Sequence, residues 1–187
     1  MKQNILPAIR LTLVCIVFFI GIYSLLILGA AQAAPGKGKG ETVTADNRVV
    51  GWKLLGQKFT DDKYFQSRPS AVDYNAAGAG GSNKGPSNPD YLKDVQNRID
   101  SFLVHNPAVK KAEIPSDLVT ASGAGLDPDI SVQGATVQVS RIAAIRKLPV
   151  EKINALVEKS IGVPLAGLFG TKKVNVLQLN IELDKLK

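Results

Sequence analysis

The first part of the chain is dominated by apolar positions. From Leu11 to Ala31 the sequence holds 21 residues without a charge, mostly Leu, Ile, Val and Phe. A helix of this length spans roughly 30 Å, the thickness of a bilayer's hydrocarbon core. Backbone N–H and C=O groups in lipid must hydrogen-bond to one another, so the stretch should be helical. The pattern predicts a cytoplasmic stub and one transmembrane anchor over residues 1–34.

A cleaved signal peptide is the alternative interpretation of this segment. Lys2 and Arg10 resemble its basic start, and the residues from Ala31 to Ala33 have the small-x-small form of a cleavage site. The apolar stretch is longer than the usual 7–15 residues, which favours retention. Cleavage would instead give a secreted binding protein or enzyme. The flanking charges lean towards a cytoplasmic N-terminus and a domain on the outer face.

Residues 35–48 begin with Gly-Lys repeats and are predicted to form a flexible hinge. A soluble domain over 49–187 follows, and its first segment, Val49 to Phe59, has the composition of a strand with a turn. Residues 67–88 are rich in Pro, Gly, Ser and Asn without periodicity. A loop this long is uncommon inside a domain, and its neighbouring aromatic residues favour an ordered Ω-type loop over a disordered one.

Three segments then show helical periodicity. The first has Asn88 as N-cap and Pro89 in its first turn, and stops at Asn106. A second helix is predicted from near Ser131 and a third from Pro149. At the C-terminal end polar and apolar residues alternate, which predicts a half-buried strand; its apolar positions are Leu177, Leu179, Ile181 and Leu183. The pattern as a whole predicts a small α+β domain behind one transmembrane helix.

The composition of the chain argues against several classes of function. The net charge is +7, and Lys2 and Arg10 precede the anchor, which leaves +5 on the rest. No basic block interleaved with aromatic residues accompanies this charge, so nucleic-acid binding is not expected. Cys15 is the only cysteine, so no intramolecular disulfide can form. The single histidine, His105, suits a cation at a helix C-terminus better than a zinc ligand or catalytic base.

The motifs of nucleotide and acid–base chemistry are also missing from the sequence. The glycines at 80, 81 and 85 have the ingredients of a phosphate-binding loop in the wrong order. No pair of carboxylates, no nucleophile with its base and no metal-ligand cluster stands out by spacing. The residues therefore favour a binding or assembly module over an enzyme, with no catalytic or metal-binding residue assigned.

A series of short motifs resembles one known family, the C subunits of the bacterial Kdp potassium-transporting P-type ATPases. The similarity runs from the anchor nearly to the C-terminus. Its motifs are Leu55-Gly56-Gln57, Tyr64-Phe65, Ser67-Arg68-Pro69-Ser70-Ala71, Tyr74-Asn75, Gly80-Gly81-Ser82-Asn83, Gly85-Pro86-Ser87-Asn88-Pro89, Ile114-Pro115, Asp117-Leu118-Val119-Thr120-Ala121-Ser122-Gly123, Gly125-Leu126-Asp127-Pro128, Ile130-Ser131, Gln138, Arg141, Val174-Asn175-Val176-Leu177 and Leu179-Asn180.

The resemblance implies an accessory, non-catalytic subunit of an inner-membrane complex that imports K⁺ at the expense of ATP. Its implied partners are a channel-like potassium-binding subunit, the P-type catalytic subunit and a small single-helix subunit. It also implies a catalytic chaperone that raises the ATP affinity of the pump subunit. ATP and K⁺ would bind at the level of the complex, and this chain alone would hold no cofactor.

Partner contacts are expected in the loop from Arg68 to Pro89 and in the turn from Ser122 to Pro128. The candidate contact residues are Arg68, Tyr74, Asn75, Ser82, Asn83, Ser87, Asn88, Ser122 and Asp127. Gln138 is a candidate nucleotide contact by family analogy only. Three positions depart from the family pattern: Ser24 replaces a proline, Lys84 an apolar residue and Asp129 a common histidine.

Overall fold

A computed structural model describes residues 2–164, 167 and 170–186 of the chain. It divides into two compact units, with the boundary between Thr42 and Val43. The first unit contains a continuous helix made of α1 (Lys2–Cys15), a π-helical segment (Ile16–Tyr23) and α2 (Ser24–Ala31). Over Gln3–Ala31 this helix is long and apolar enough to cross a membrane. The second unit mixes helices and two sheets, which confirms the α+β prediction.

Ser24 lies where the π-helical segment returns to α-helix. Its hydroxyl donates a hydrogen bond of 3.3 Å to the carbonyl of Phe19, five residues earlier. A π-helical turn has a wider hydrogen-bond spacing than an α-helix, and Ser and Thr side chains in helices commonly bond back to the carbonyl of a preceding turn. The helix therefore runs unbroken through the position where the family pattern places a proline.

A short hairpin opens the second unit. Strands β1 (Thr42–Ala45) and β2 (Arg48–Trp52) form a two-stranded sheet. The two residues that join them, Asp46 and Asn47, have φ angles of 48° and 60°, the left-handed backbone that a two-residue hairpin turn requires. Strand β2 confirms the first half of the strand predicted from Val49. The predicted hinge over 35–48 is wrong in its second half, because β1 lies there.

A three-stranded antiparallel sheet with the order β3-β5-β4 lies in the core. The strands are β3 (Asp129–Ser131), β4 (Ile161–Gly162) and β5 (Lys173–Asn175). Val174 of the central strand faces both Ile130 and Ile161 and has no exposed surface. These strands were not predicted, since two or three residues are too few to show a period.

The described part of the second unit also contains five α-helices: α3 (Pro89–His105), α4 (Val132–Thr136), α5 (Val139–Arg146), α6 (Val150–Lys159) and α7 (Val176–Asp184). The three predicted helices are confirmed in α3, in α4 with α5, and in α6. Asn88 caps α3 by accepting a bond of 3.1 Å from the Tyr91 amide. Ser131 caps α4 through the Gly134 amide. The largest fully buried apolar side chains are Phe65, Ile130, Ile142, Ile153, Leu179 and Leu183.

The predicted C-terminal strand is wrong, because Val176–Asp184 is the helix α7. Its sequence fits a strand only if every polar residue faces water, but Asn180 is 2% exposed. The buried positions of the segment recur at three and four residues, as a helix requires: Val176, Leu179, Asn180 and Leu183. Asn175 adds an N-cap, since its carbonyl oxygen accepts a bond of 3.0 Å from the Gln178 amide.

Four buried polar side chains hold residues 62–66 against the helices, and we name them the polar clamp: Asn106, Gln138, Arg141 and Asn180. Arg141 donates to the side chains of Asn106 (2.9 Å) and Gln138 (2.8 Å), and to the carbonyl of Asp62. Burial lowers the pKa of Arg141 from its usual value.

The amide of Asn180 completes the clamp by exchanging two bonds, of 2.8 and 2.9 Å, with the backbone of Phe65. Because Phe65 is fully buried, this exchange satisfies polar backbone groups that water cannot reach. The clamp therefore fixes the chain immediately before the long loop.

Candidate functional site

The long loop 67–88 and the turn 122–128 pack together, and we name their combined surface the loop face. Two backbone hydrogen bonds join them: Ser122 donates to the carbonyl of Pro69 at 3.3 Å, and Gly80 donates to that of Ala124 at 3.0 Å. The structure thus brings together the two segments in which the sequence placed partner contacts. The loop is hydrogen-bonded and ordered, as its composition and flanking aromatic residues predicted.

An ion pair reinforces this junction. The guanidinium of Arg68 lies 2.8 Å from the carboxylate of Asp127, and both side chains are about two-thirds to three-quarters buried. The other carboxylate oxygen of Asp127 accepts a bond of 3.1 Å from the Asp129 amide. A charge-assisted bond with this degree of burial is stronger than an exposed pair. The ion pair between Arg68 and Asp127 therefore holds the long loop against the turn 122–128.

Close packing at the junction depends on two glycines. Gly125 has a φ of +69°, and a Cβ there would lie 2.7 Å from Val72 Cγ2 and 2.9 Å from Ser70 Oγ. A Cβ on Gly81 would lie 2.8 Å from the carbonyl oxygen of Gly123. Only a residue without a side chain fits either position, which gives these glycines a structural reason beyond loop flexibility.

Tyr74 and Asn75 shape the middle of the loop. The Tyr74 hydroxyl donates a bond of 2.5 Å to the carbonyl of Arg68, and its amide donates to Ser70 Oγ at 2.9 Å. Burial raises the pKa of Tyr74 to about 12, so the phenol stays a donor at physiological pH. Asn75 accepts a bond of 3.0 Å from the Ala77 amide and starts a 3₁₀ turn, Ala76–Gly78.

The other predicted contact residues divide into exposed and structural ones. Ser82, Asn83 and Ser87 are exposed on the outer side of the loop. Asn88 uses its side chain to cap α3, and Ser122 is 6% exposed, so both support the surface from beneath. The exposed part of the loop face consists mainly of small neutral residues, from Ala76 to Ala79 and from Ser82 to Ser87, with Gly123 and Ala124.

Gln138 has no exposed surface. Its carbonyl oxygen accepts from the Gln66 amide and from Arg141, both at 2.8 Å. Its amide group donates to the carbonyls of Gly134 at 2.9 Å and Gln66 at 3.3 Å. In this arrangement the side chain is a member of the polar clamp, and nucleotide contact through it, which stays a prediction, requires these bonds to open.

Two of the departures from the family pattern have partners of opposite charge. Lys84 lies 3.1 Å from Asp94 of α3. Asp129 lies 2.5 Å from Lys173 on the neighbouring strand, and this hydrogen bond raises the pKa of Lys173. The Lys84 pair joins the long loop to α3, and the Asp129 pair joins the strands β3 and β5.

Among the residues that the structure describes, no group of three or more His, Cys, Asp or Glu side chains could hold a metal ion. His105 lies in the last turn of α3, with its ring 2.9 Å from a carboxylate oxygen of Asp62. Sequence reasoning missed the polar clamp. Its only signal is that Gln138 and Arg141 interrupt an otherwise apolar helical face.

Fold and site together define an α+β protein with one candidate membrane-spanning helix in its described part and an ordered, largely neutral loop surface. A family model described as the c chain of the K⁺-transporting ATPase, KdpC, matches residues 5–185. The chain is 58% identical over 185 residues to the potassium-transporting ATPase KdpC subunit of Flavobacterium psychrophilum, covering 99% of this chain and 100% of that one. It is 48% identical over 188 residues to the KdpC subunit of Bacteroides fragilis, covering 99% and 98%.

The chain therefore belongs to the KdpC family of potassium-transporting ATPase subunits. This result confirms the resemblance seen in the sequence motifs. It supports the subunit hypothesis and gives no support to the secreted alternative.

Proposed function

We propose that this chain is the accessory subunit that covers the outer entrance of a K⁺-importing ATPase complex and stabilises its assembly. Its anchor sits in the inner membrane with the N-terminus in the cytoplasm, and its α+β domain lies outside. The loop face contacts the channel-like potassium-binding subunit. The P-type catalytic subunit hydrolyses ATP, and the small single-helix subunit completes the complex.

The observation that supports this proposal is the composition of the loop face and its internal bonding. Its charged groups form ion pairs: Arg68 with Asp127, Lys84 with Asp94, and Asp73 with Lys58 outside the loop. Most of its other exposed residues are small and neutral. Such a surface can lie beside a cation path without trapping K⁺ through strong charge. Internal hydrogen bonds order the loops before they bind, which lowers the entropic cost of association.

We also propose that the chain raises the ATP affinity of the pump subunit indirectly. An outer domain is separated by the membrane from cytosolic ATP, and burial of Gln138 supports a route without direct nucleotide contact. Binding of the anchor and loop face would bias the pump between its states, which is a coupling between distant sites. The chain itself binds no cofactor in this scheme; ATP and K⁺ bind to the complex.

Deleting residues 78–85 tests the proposal. The deletion removes the exposed tip of the loop together with the Gly80–Ala124 and Lys84–Asp94 bonds, and it retains the residues of the Arg68–Asp127 pair and the Asn88 cap. We expect the amount of purified complex and its K⁺-stimulated ATP hydrolysis each to fall by about tenfold or more, because removing a contact patch of this size costs more than about 1.4 kcal/mol.

A variant in which residues 78–85 are replaced by eight Gly and Ser residues serves as the length-matched control. Far-UV circular dichroism of both variants verifies that the domain is folded. Normal assembly and normal turnover of the folded deletion variant would reject the proposed contact.

A further inference from the structure

Exposed apolar side chains concentrate in the hairpin. Among the described residues of the second unit, nine large apolar side chains are exposed, and four of them lie between residues 49 and 54. They are Val49 (64% exposed), Val50 (40%), Trp52 (43%) and Leu54 (68%). A protein in water gains by burying such a cluster, so a covering surface is expected.

The hairpin exposes these side chains on both of its faces. Successive residues of a strand point to opposite sides, so Val49 faces away from Val50 and Trp52. Val50 lines an open cavity of about 510 Å³ with Phe59, Leu177 and other residues, and is still 40% exposed. A lipid headgroup layer can surround both faces of a two-stranded hairpin. This arrangement favours lipid as the covering surface.

The position of the hairpin in the chain also favours lipid as the covering surface. Thr42, its first residue, follows the end of the anchor helix at Ala31 by eleven residues, a distance of at most about 38 Å when fully extended. Two tight turns shorten this connection: Lys37 bonds back to Ala34 at 2.9 Å, and Lys39 to Gly36 at 2.9 Å. The hairpin can therefore reach the membrane surface into which the anchor is inserted.

The charge and composition of the segment match an anionic lipid interface. Between residues 36 and 54 the chain has four basic and two acidic residues, a net charge of +2. Arg48 is exposed and lies next to Val49. Tryptophan prefers the headgroup level of a bilayer, because its ring is apolar and its N–H needs a polar partner. Basic residues near an anionic leaflet add further attraction.

We propose that the hairpin Thr42–Trp52, with Leu54, is a membrane-interface element. It inserts Trp52 and its apolar neighbours into the headgroup region of the leaflet from which the anchor emerges. Together with the anchor it gives the domain a second attachment to the bilayer, which restricts the domain's tilt. This contact belongs to the chain itself and does not depend on the pump subunits.

Trp52 is the only tryptophan of the chain, so its fluorescence reports on the hairpin directly. The full-length protein is placed alone in nanodiscs containing phosphatidylcholine and phosphatidylglycerol. We expect lipids brominated close to the headgroup to quench more than half of the Trp52 emission, and iodide in solution to quench little of it. In the Arg48→Gln variant the ratio of embedded to aqueous Trp52 should fall about fivefold.

A double variant, Trp52→Phe with Leu92→Trp, supplies the matched control. Leu92 is 53% exposed on α3, and a tryptophan there should be quenched by iodide and spared by the brominated lipid. The main measurement uses the natural chain, so it does not depend on a variant's folding. Equal lipid quenching at positions 52 and 92 would overturn the proposal. Protection of Trp52 that develops only after the pump subunits are added would also overturn it, since the hairpin would then be a protein interface.

Discussion

The Arg141→Met variant should lose about 3 kcal/mol of its free energy of unfolding. Methionine fills much of the same space but donates no hydrogen bond, so the Asn106 side chain and the Asp62 carbonyl lose the Arg141 donor, and Gln138 keeps only its bond from the Gln66 amide. Each buried acceptor without a partner costs about 1–3 kcal/mol. Removing a buried guanidinium, whose pKa burial already lowers, offsets part of this cost. Urea unfolding of the full chain in detergent, followed by far-UV circular dichroism, measures the change.

The Arg48→Met variant is the matched control for this loss. Arg48 is exposed at the start of β2, so the same chemical change there should alter stability by less than about 0.5 kcal/mol. If both arginine variants unfold at the same urea concentration, the polar clamp does not hold the domain together as argued above.

Substituting Gly125 with alanine should have the second large effect, on both stability and assembly. Its φ of +69° and the 2.7 Å approach of a Cβ to Val72 force the turn away from the long loop. Strain of this kind costs about 1–3 kcal/mol and would separate the two halves of the loop face. We therefore expect Gly125→Ala to lower the midpoint of urea unfolding and to reduce the amount of purified complex severalfold.

Gly123 provides the comparison two residues earlier in the same turn. It is exposed, and a Cβ built there meets no atom within 4 Å. Gly123→Ala should therefore leave the free energy of unfolding within about 0.5 kcal/mol of that of the natural chain. Equal losses in the two alanine variants would show that close packing at Gly125 is not what shapes the loop face.

Local signals in the sequence predicted the helices well. Asn88 and Pro89 fixed the start of α3, and Ser131 that of α4, because caps act within one turn of chain. The long apolar helix near the N-terminus was equally clear, since its prediction needs only length and the absence of charge. The loop face could be predicted as two segments, but not the ion pair and backbone bonds that join them.

The errors arose where tertiary contacts decide the structure. The alternating pattern over α7 predicted a strand on the assumption that every polar residue is exposed. Asn180 is instead buried, because its side chain exchanges two hydrogen bonds with the backbone of Phe65, 115 residues earlier. Strand β1 was assigned to a hinge, since four residues beside glycines carry almost no period of their own. The clamp around Arg141 depends on partners from four separate elements, and spacing along the chain cannot identify these.

The most direct test of the account is a photocrosslink from the loop face within the assembled complex. A photoreactive amino acid replaces Ser82, exposed on the loop, or Ser140, exposed on α5 beside a separate cavity with Pro107 and Ala144. The account predicts a crosslink from position 82, and not from position 140, to the potassium-binding subunit. A crosslink from position 140 alone, or none from position 82 in a complex that assembles fully, would contradict it.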